Sequence, residues 1–181
     1  MSGSRVDRDA LGAATPEFDD PFAILEACHG RIDRFLRTLA RLPDHVARHG
    51  IDAEACEAIG RIRRYFEEAG PNHHADEEVD LFPAARAAAR LAGDDASLAA
   101  IDALERDHRE MEAVWAALRA HLDRLAGDGG SVDAVLVRRF EALYRDHIAR
   151  EEGVVFAGAK PRFGAALRAA LAQAMVARRR D

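Results

Sequence analysis

The sequence predicts an all-α protein, an up-down antiparallel four-helix bundle built from two repeated helical hairpins, with one further helix at the C-terminus. Three observations predict it. Apolar residues recur at steps of three and four along successive segments. The composition is rich in Ala, Leu, Arg and Glu, residues that favour helix. And one short unit, 73–83, recurs without gaps at 147–157.

Residues 1–20 mix Gly, Ser, Asp and Pro without a period and read as a flexible leader. The first helix is expected from Pro21 to about Leu42, with Leu25, Ile32, Leu36 and Leu39 as its apolar stripe and His29 inside that stripe. The stretch Pro43–Gly50 is expected to close it. The second begins near Ile51 and carries Ile59, Ile62 and Phe66. Gly70-Pro71 interrupts it, either as a kink or as a new start with Pro71 in the first turn, and the stripe resumes in phase through His73, Glu77 and Leu81. Gly93-Asp94-Asp95 forms the next loop.

The third segment repeats most regularly, through Ile101, Leu104, His108, Met111, Trp115, Leu118, Leu122 and Leu125, and stops at Gly127–Ser131. The fourth places Leu136, Phe140, Leu143, His147, Glu151 and Val154 on one face, with Gly153 and Gly158 marking its end. A last helix, roughly 161–179, carries Phe163, Leu167, Leu171 and Met175 but no histidine, and reads as a packing element. The bundle domain is therefore expected over 21–160 and the packing element over 161–181.

The totals narrow the function. The 181 residues, 49% of them hydrophobic, suit one folded core. A net charge of −6, from 32 acids and 26 bases, argues against nucleic acid as a partner. The one basic cluster, Arg178-Arg179-Arg180, reads as a solvated helix end. Two cysteines, Cys28 and Cys56, without a CxxC, make neither a disulfide framework nor a cysteine-built zinc site. With no signal-like or membrane-length apolar run, the reading is a cytoplasmic protein without a membrane span.

The repeat carries the chemistry. His73 aligns with His147, Glu77 with Glu151, Glu78 with Glu152 and Phe82 with Phe156, and the run from Cys28-His29 resembles that from Asp107-His108. Each hairpin thus has one histidine on its first helix and a HxxxE pair on its second. Residues four apart lie one turn apart on the same helix face, so both can reach one ion. Imidazole with carboxylate suits iron, manganese or zinc. A lone histidine in an apolar stripe is more often a satisfied core residue. Here all four helices place one there, and two add a glutamate whose burial without a partner would cost several kcal/mol, about the penalty of an unpaired buried charge. His45, His49 and His121 lie off the pattern and are expected to be solvated; Glu78 and Glu152 are expected behind the ligands or at the surface.

His29, the HHxDEExxLFP run from His73, the DHREM run from Asp107 and the HIxxEE run from His147 together resemble the hemerythrin-like HHE cation-binding domain. The resemblance implies a non-haem di-iron centre bridged by carboxylates and an oxo or hydroxo group, with zinc or manganese as substitutes. Carried over residue by residue, it implies His29, His73, Glu77, His108, His147 and Glu151 as ligands, with Glu77 and Glu151 bridging; His74 and Glu112 are further candidates. Two departures count against reversible oxygen carriage. Glu112 stands where the oxygen carriers have a second histidine, and the fourth-helix carboxylate follows its histidine by four residues rather than five. The function implied is binding or sensing of O2 or NO, or iron handling, with no catalytic residue assigned and a protein partner needed for any signal. The alternatives are a ferritin-like di-iron oxidase or ferroxidase, using the ExxH pairs Glu26/His29 and Glu105/His108, and a metal-dependent stress or iron–sulfur repair protein.

Overall fold

A computed structural model describes residues 19–179, except the side chains of 126–128. The expected leader falls almost wholly outside the described residues, as does Arg180. Among the described residues the chain forms helices and no strand, and none of the helices is long and apolar enough to cross a membrane.

Helix α1 is Pro21–His49. Asp20 caps its first turn, which opens on Pro21, where a missing N–H costs nothing. It does not stop at Leu42 as expected, because Leu42 and Val46 continue the buried stripe past Pro43. The actual stop is Gly50, at φ +72, whose N–H bonds the Val46 carbonyl.

Helix α2 runs continuously over 53–92. It combines α-helical Ala53–Arg64, Gly70–Ala75 and Phe82–Ala92 with two wider π turns, Tyr65–Ala69 and Asp76–Leu81. Of the two readings of Gly70-Pro71, a new start does not occur, because the helix continues through both residues. The first π turn lies just before Pro71 and accommodates the proline ring, which in a regular helix would press on the carbonyl four residues back.

Helix α3 is Asp95–Asp128, capped by Asp94 on the Ser97 N–H. Helix α4 spans 134–159, as Ala134–Arg150, a π turn Glu151–Phe156 and a final turn Ala157–Ala159. Gly153 lies within that π turn, so it does not end the helix as expected. Gly158 lies in the last turn, at the end expected, and also packs closely: a Cβ there would meet Ser97 Oγ at 2.6 Å. Helix α5 is Ala165–Arg178, starting later than the expected 161.

Sequential helices pack as antiparallel neighbours, α1 against α4 closes the bundle, and α5 lies across α1 and the second π turn of α2. The interior divides into two apolar layers. One gathers Ile32, Leu36, Ile62, Phe66, Met111 and Phe140. The other gathers Phe22, Leu25, Leu81, Phe82, Leu104 and Phe156. Between them each long helix contributes a polar residue: His29 between Leu25 and Ile32, His73 and Glu77 between Phe66 and Leu81, His108 between Leu104 and Met111, His147 and Glu151 between Tyr144 and Val155.

Candidate metal centre

The polar layer brings together all six residues of the expected ligand set. His29, His73, Glu77, His108, His147 and Glu151 are each at most 4% exposed. Glu77 sits at the middle. Its Oε1 lies 2.8 Å from His73 Nε2 and 4.0 Å from His29 Nε2; its Oε2 lies 2.8 Å from His108 Nε2 and 3.7 Å from His147 Nε2. Glu151 Oε2 is 2.9 Å from His29 Nε2. Two trios of donor atoms result, His29/His73/Glu77 and Glu77/His108/His147, joined through one carboxylate.

These short separations are not a hydrogen-bond network. Both oxygens of Glu77, both of Glu151, and Nε2 of His29 and His73 are buried without a hydrogen-bond partner, since their directions do not suit one another. His108 Nε2 and His147 Nε2 approach to 3.3 Å. Buried donors and acceptors converging on common points without satisfying each other suit divalent cations, each accepting several nitrogen and oxygen lone pairs at once.

The electrostatics say the same. Burial disfavours charge on His29, but Glu151 and Glu77 outweigh it and push the imidazole up to about 11. His73 rises to about 9, against burial, through the charge of Glu77 and the contact with Cys28. Burial favours neutral Glu77, yet four surrounding imidazoles, led by His73, hold it well below the usual carboxylate range. Glu151 is raised by burial and by the charge of Glu77. The cluster demands positive charge, from protons or from metal.

A second set of contacts orients the imidazoles, and it crosses between the hairpins. His29 Nδ1 meets Glu152 Oε1 at 2.7 Å, and His108 Nδ1 meets Glu78 Oε1 at 2.6 Å. So Glu78 and Glu152, of the two places expected for them, stand behind the histidines with their outer parts at the surface. The π turns explain how consecutive glutamates divide the work. Asp76–Leu81 and Glu151–Phe156 open the helix at the HxxxEE units, so the first glutamate points inward and the second reaches the neighbouring hairpin. His147 Nδ1 lies 3.7 Å from Asp107, which Arg150 also holds.

The two further candidates lie outside the trios. His74 stacks on the His108 ring at 4.0 Å between centroids, and burial holds it well below the usual imidazole value. Glu112 is exposed at the rim of a cavity of about 70 Å³ that His74, Trp115 and Tyr144 also line. The ferritin-like pairs fare worse, since Glu26 binds Lys160 and Glu105 binds Arg86 at the surface. His45 and His121 are not merely solvated: His45 bonds Asp52 at 2.9 Å, and the Asp133 N–H donates to His121 at 2.9 Å. Nor is the basic C-terminus a free helix end. Arg178 and Arg179 both bind Asp76, which is fully buried beside Glu77, and Arg178 also holds Asp80. The sequence reading missed Asp76 and Cys28; their neighbours in the chain are ligand candidates, the one signal that pointed to them.

Fold and site together define a helical bundle with a buried cluster of histidines and carboxylates grouped as metal donors. The chain belongs to the hemerythrin HHE cation-binding domain family, whose model matches residues 20–159. It is also 35% identical over 136 residues to an uncharacterized protein of Haemophilus influenzae, a match covering 75% of this chain and 76% of the relative.

Proposed function

We propose that the chain holds two iron ions, one between His29, His73 and Glu77 and one between Glu77, His108 and His147, with Glu151 as a further carboxylate ligand, and that it binds or senses O2 or NO, or handles iron, at this centre. The observation carrying this reading is the placement of Glu77: each of its oxygens faces a different pair of imidazoles, as a bridging carboxylate requires. Iron fits the mixed nitrogen and oxygen donors, and zinc or manganese would substitute in the same set. When bound, such a pair would supply a ferrous–ferric couple.

The chain's own residues do the rest. Glu78 and Glu152 fix the ring orientation of His108 and His29. Leu81, Phe82 and Phe156 on one side and Phe66 and Phe140 on the other exclude water. The small cavity beside His74, in ring contact with His108, matches a ligand of a few atoms rather than an organic substrate.

Substitution at the bridge tests the reading. Glu77→Ala should empty both positions, whereas His73→Ala should empty one and leave roughly one ion per chain, read by elemental analysis. Equal losses in the two variants would overturn the bridging role of Glu77.

A further inference from the structure

His74 and Glu112 stand outside the two donor trios, and one cavity joins them. It lies between α2, α3 and α4, about one turn from the donors on each helix: Gly70 precedes His73, Glu112 follows His108 and Tyr144 precedes His147. Glu112 is exposed, so its carboxylate marks the mouth. His74 lies toward the centre, its ring stacked on that of His108 at 4.0 Å between centroids and 13° between planes. Its Nε2 is buried and has no hydrogen-bond partner. Past that ring, His108 Nε2 is 2.8 Å from Glu77 and 3.3 Å from His147 Nε2. Phe66, Met111 and Trp115 add apolar wall. The volume of about 70 Å³ leaves room for a few water molecules at about 30 Å³ each. The other side of the centre receives a cation less well. The hollow of about 400 Å³ beside Cys28 and Asn72 sets the guanidinium groups of Arg31 and Arg179 against the one carboxylate of Glu68.

We propose that Glu112 and His74 form a transient cation site that loads the centre: the rim carboxylate draws a divalent cation into the cavity, and the buried His74 nitrogen receives it before it passes to Glu77, His108 and His147. The inference rests on the metal-centre reading above. A hydrated cation cannot enter so small and largely apolar a space with its full shell, so donors inside must replace the water it sheds. Carboxylate oxygen at the mouth and imidazole nitrogen within are the two donor types that the centre itself uses. Two donors hold an ion loosely, as transfer requires, whereas each trio offers three. A negative charge at a narrow mouth also concentrates cations and speeds their arrival. Glu112 and His74 then need no place in the finished centre, and they line its approach instead.

The test is stopped-flow loading of metal-free full-length protein with Co²⁺, followed by cobalt absorption. Release to excess chelator, calorimetric titration and far-UV circular dichroism are measured on each variant. Glu112→Gln and His74→Phe, which keeps a ring against His108, should each slow loading and release by the same factor, roughly tenfold, the low end of what a charged cleft adds to arrival rates. Stoichiometry and dissociation constants should match wild type, because a site that the ion only passes through scales both rates alike. Wild-type loading should slow as salt is added, and Glu112→Gln should lose much of that dependence. Glu110→Gln removes a carboxylate of the same helix that pairs with Arg139 outside the cavity, and should load like wild type. Glu112→Gln alters an exposed side chain and decides the matter alone if the His74 variant does not fold. Unchanged rates in Glu112→Gln, a weakened or lost ion in either variant, or equal slowing by Glu110→Gln would each overturn the loading site. Wild type that takes no cobalt would overturn the metal-centre reading, and the loading site with it.

Discussion

At the scale of single residues, protons and metal compete for the same atoms. His29 and His73 stand at about 11 and about 9, above the ordinary imidazole value of about 6.5. A group whose folded value is raised contributes stability fully below its unfolded value and loses it as pH rises through the folded one. Metal-free protein should therefore lose stability first near pH 9 and again toward 11, seen in urea denaturation across that range. Metal loading at neutral pH should release protons, measured with an indicator dye in weak buffer; loading without proton release would contradict these charge states. The clustering of the six candidate residues was legible in the sequence because a histidine or glutamate inside an apolar stripe is carried into the core, where its polar atoms need a partner. Asp76 was not, since its partners Arg178 and Arg179 lie about a hundred residues away and only the packing of α5 brings them in. His121 was not either, because it accepts a backbone N–H from the following loop, which leaves no side-chain pattern.

At the scale of elements, helix identity followed from periodicity, while boundaries and turns depended on local competition. Pro43 reads as a terminator, but the burial of Leu42 and Val46 carries α1 past it. Pro43→Ala should thus stabilise the protein by about 1–2 kcal/mol, the cost of an interior proline less what proline gains by stiffening the unfolded chain, measured by chemical denaturation. A destabilising result would mean that packing depends on the proline at that position. The π turns were illegible, because a helix that widens by one residue keeps the same residue types; only the paired glutamates hinted at them. The clasp between α5 and α2 has its own test. Arg178→Ala with Arg179→Ala leaves buried Asp76 unpaired and should cost about 2 kcal/mol, less than for fully buried pairs because both arginines are partly exposed. Asp76→Asn in the same background should recover part of that loss.

At the scale of the whole molecule, two apolar layers clamp a charged layer between them, and that charged layer is held together best by cations. Binding to the folded state alone stabilises by mass action: metal at a hundredfold above its dissociation constant adds about 2.7 kcal/mol per ion, which in a domain of this size raises Tm by roughly 5–10 °C. A chelator should reverse the shift. The bundle, its order of helices and its repeat were readable because each helix shows an apolar stripe and glycine-rich loops separate most of them. The division of the interior into two layers was readable only in part, as polar residues interrupting each stripe at matching heights. Elemental analysis of full-length protein, expressed with iron available and purified without oxygen, bears most directly on the central claim. Close to two irons per chain is the expected result for two trios sharing Glu77. Protein that binds no metal under those conditions would contradict it.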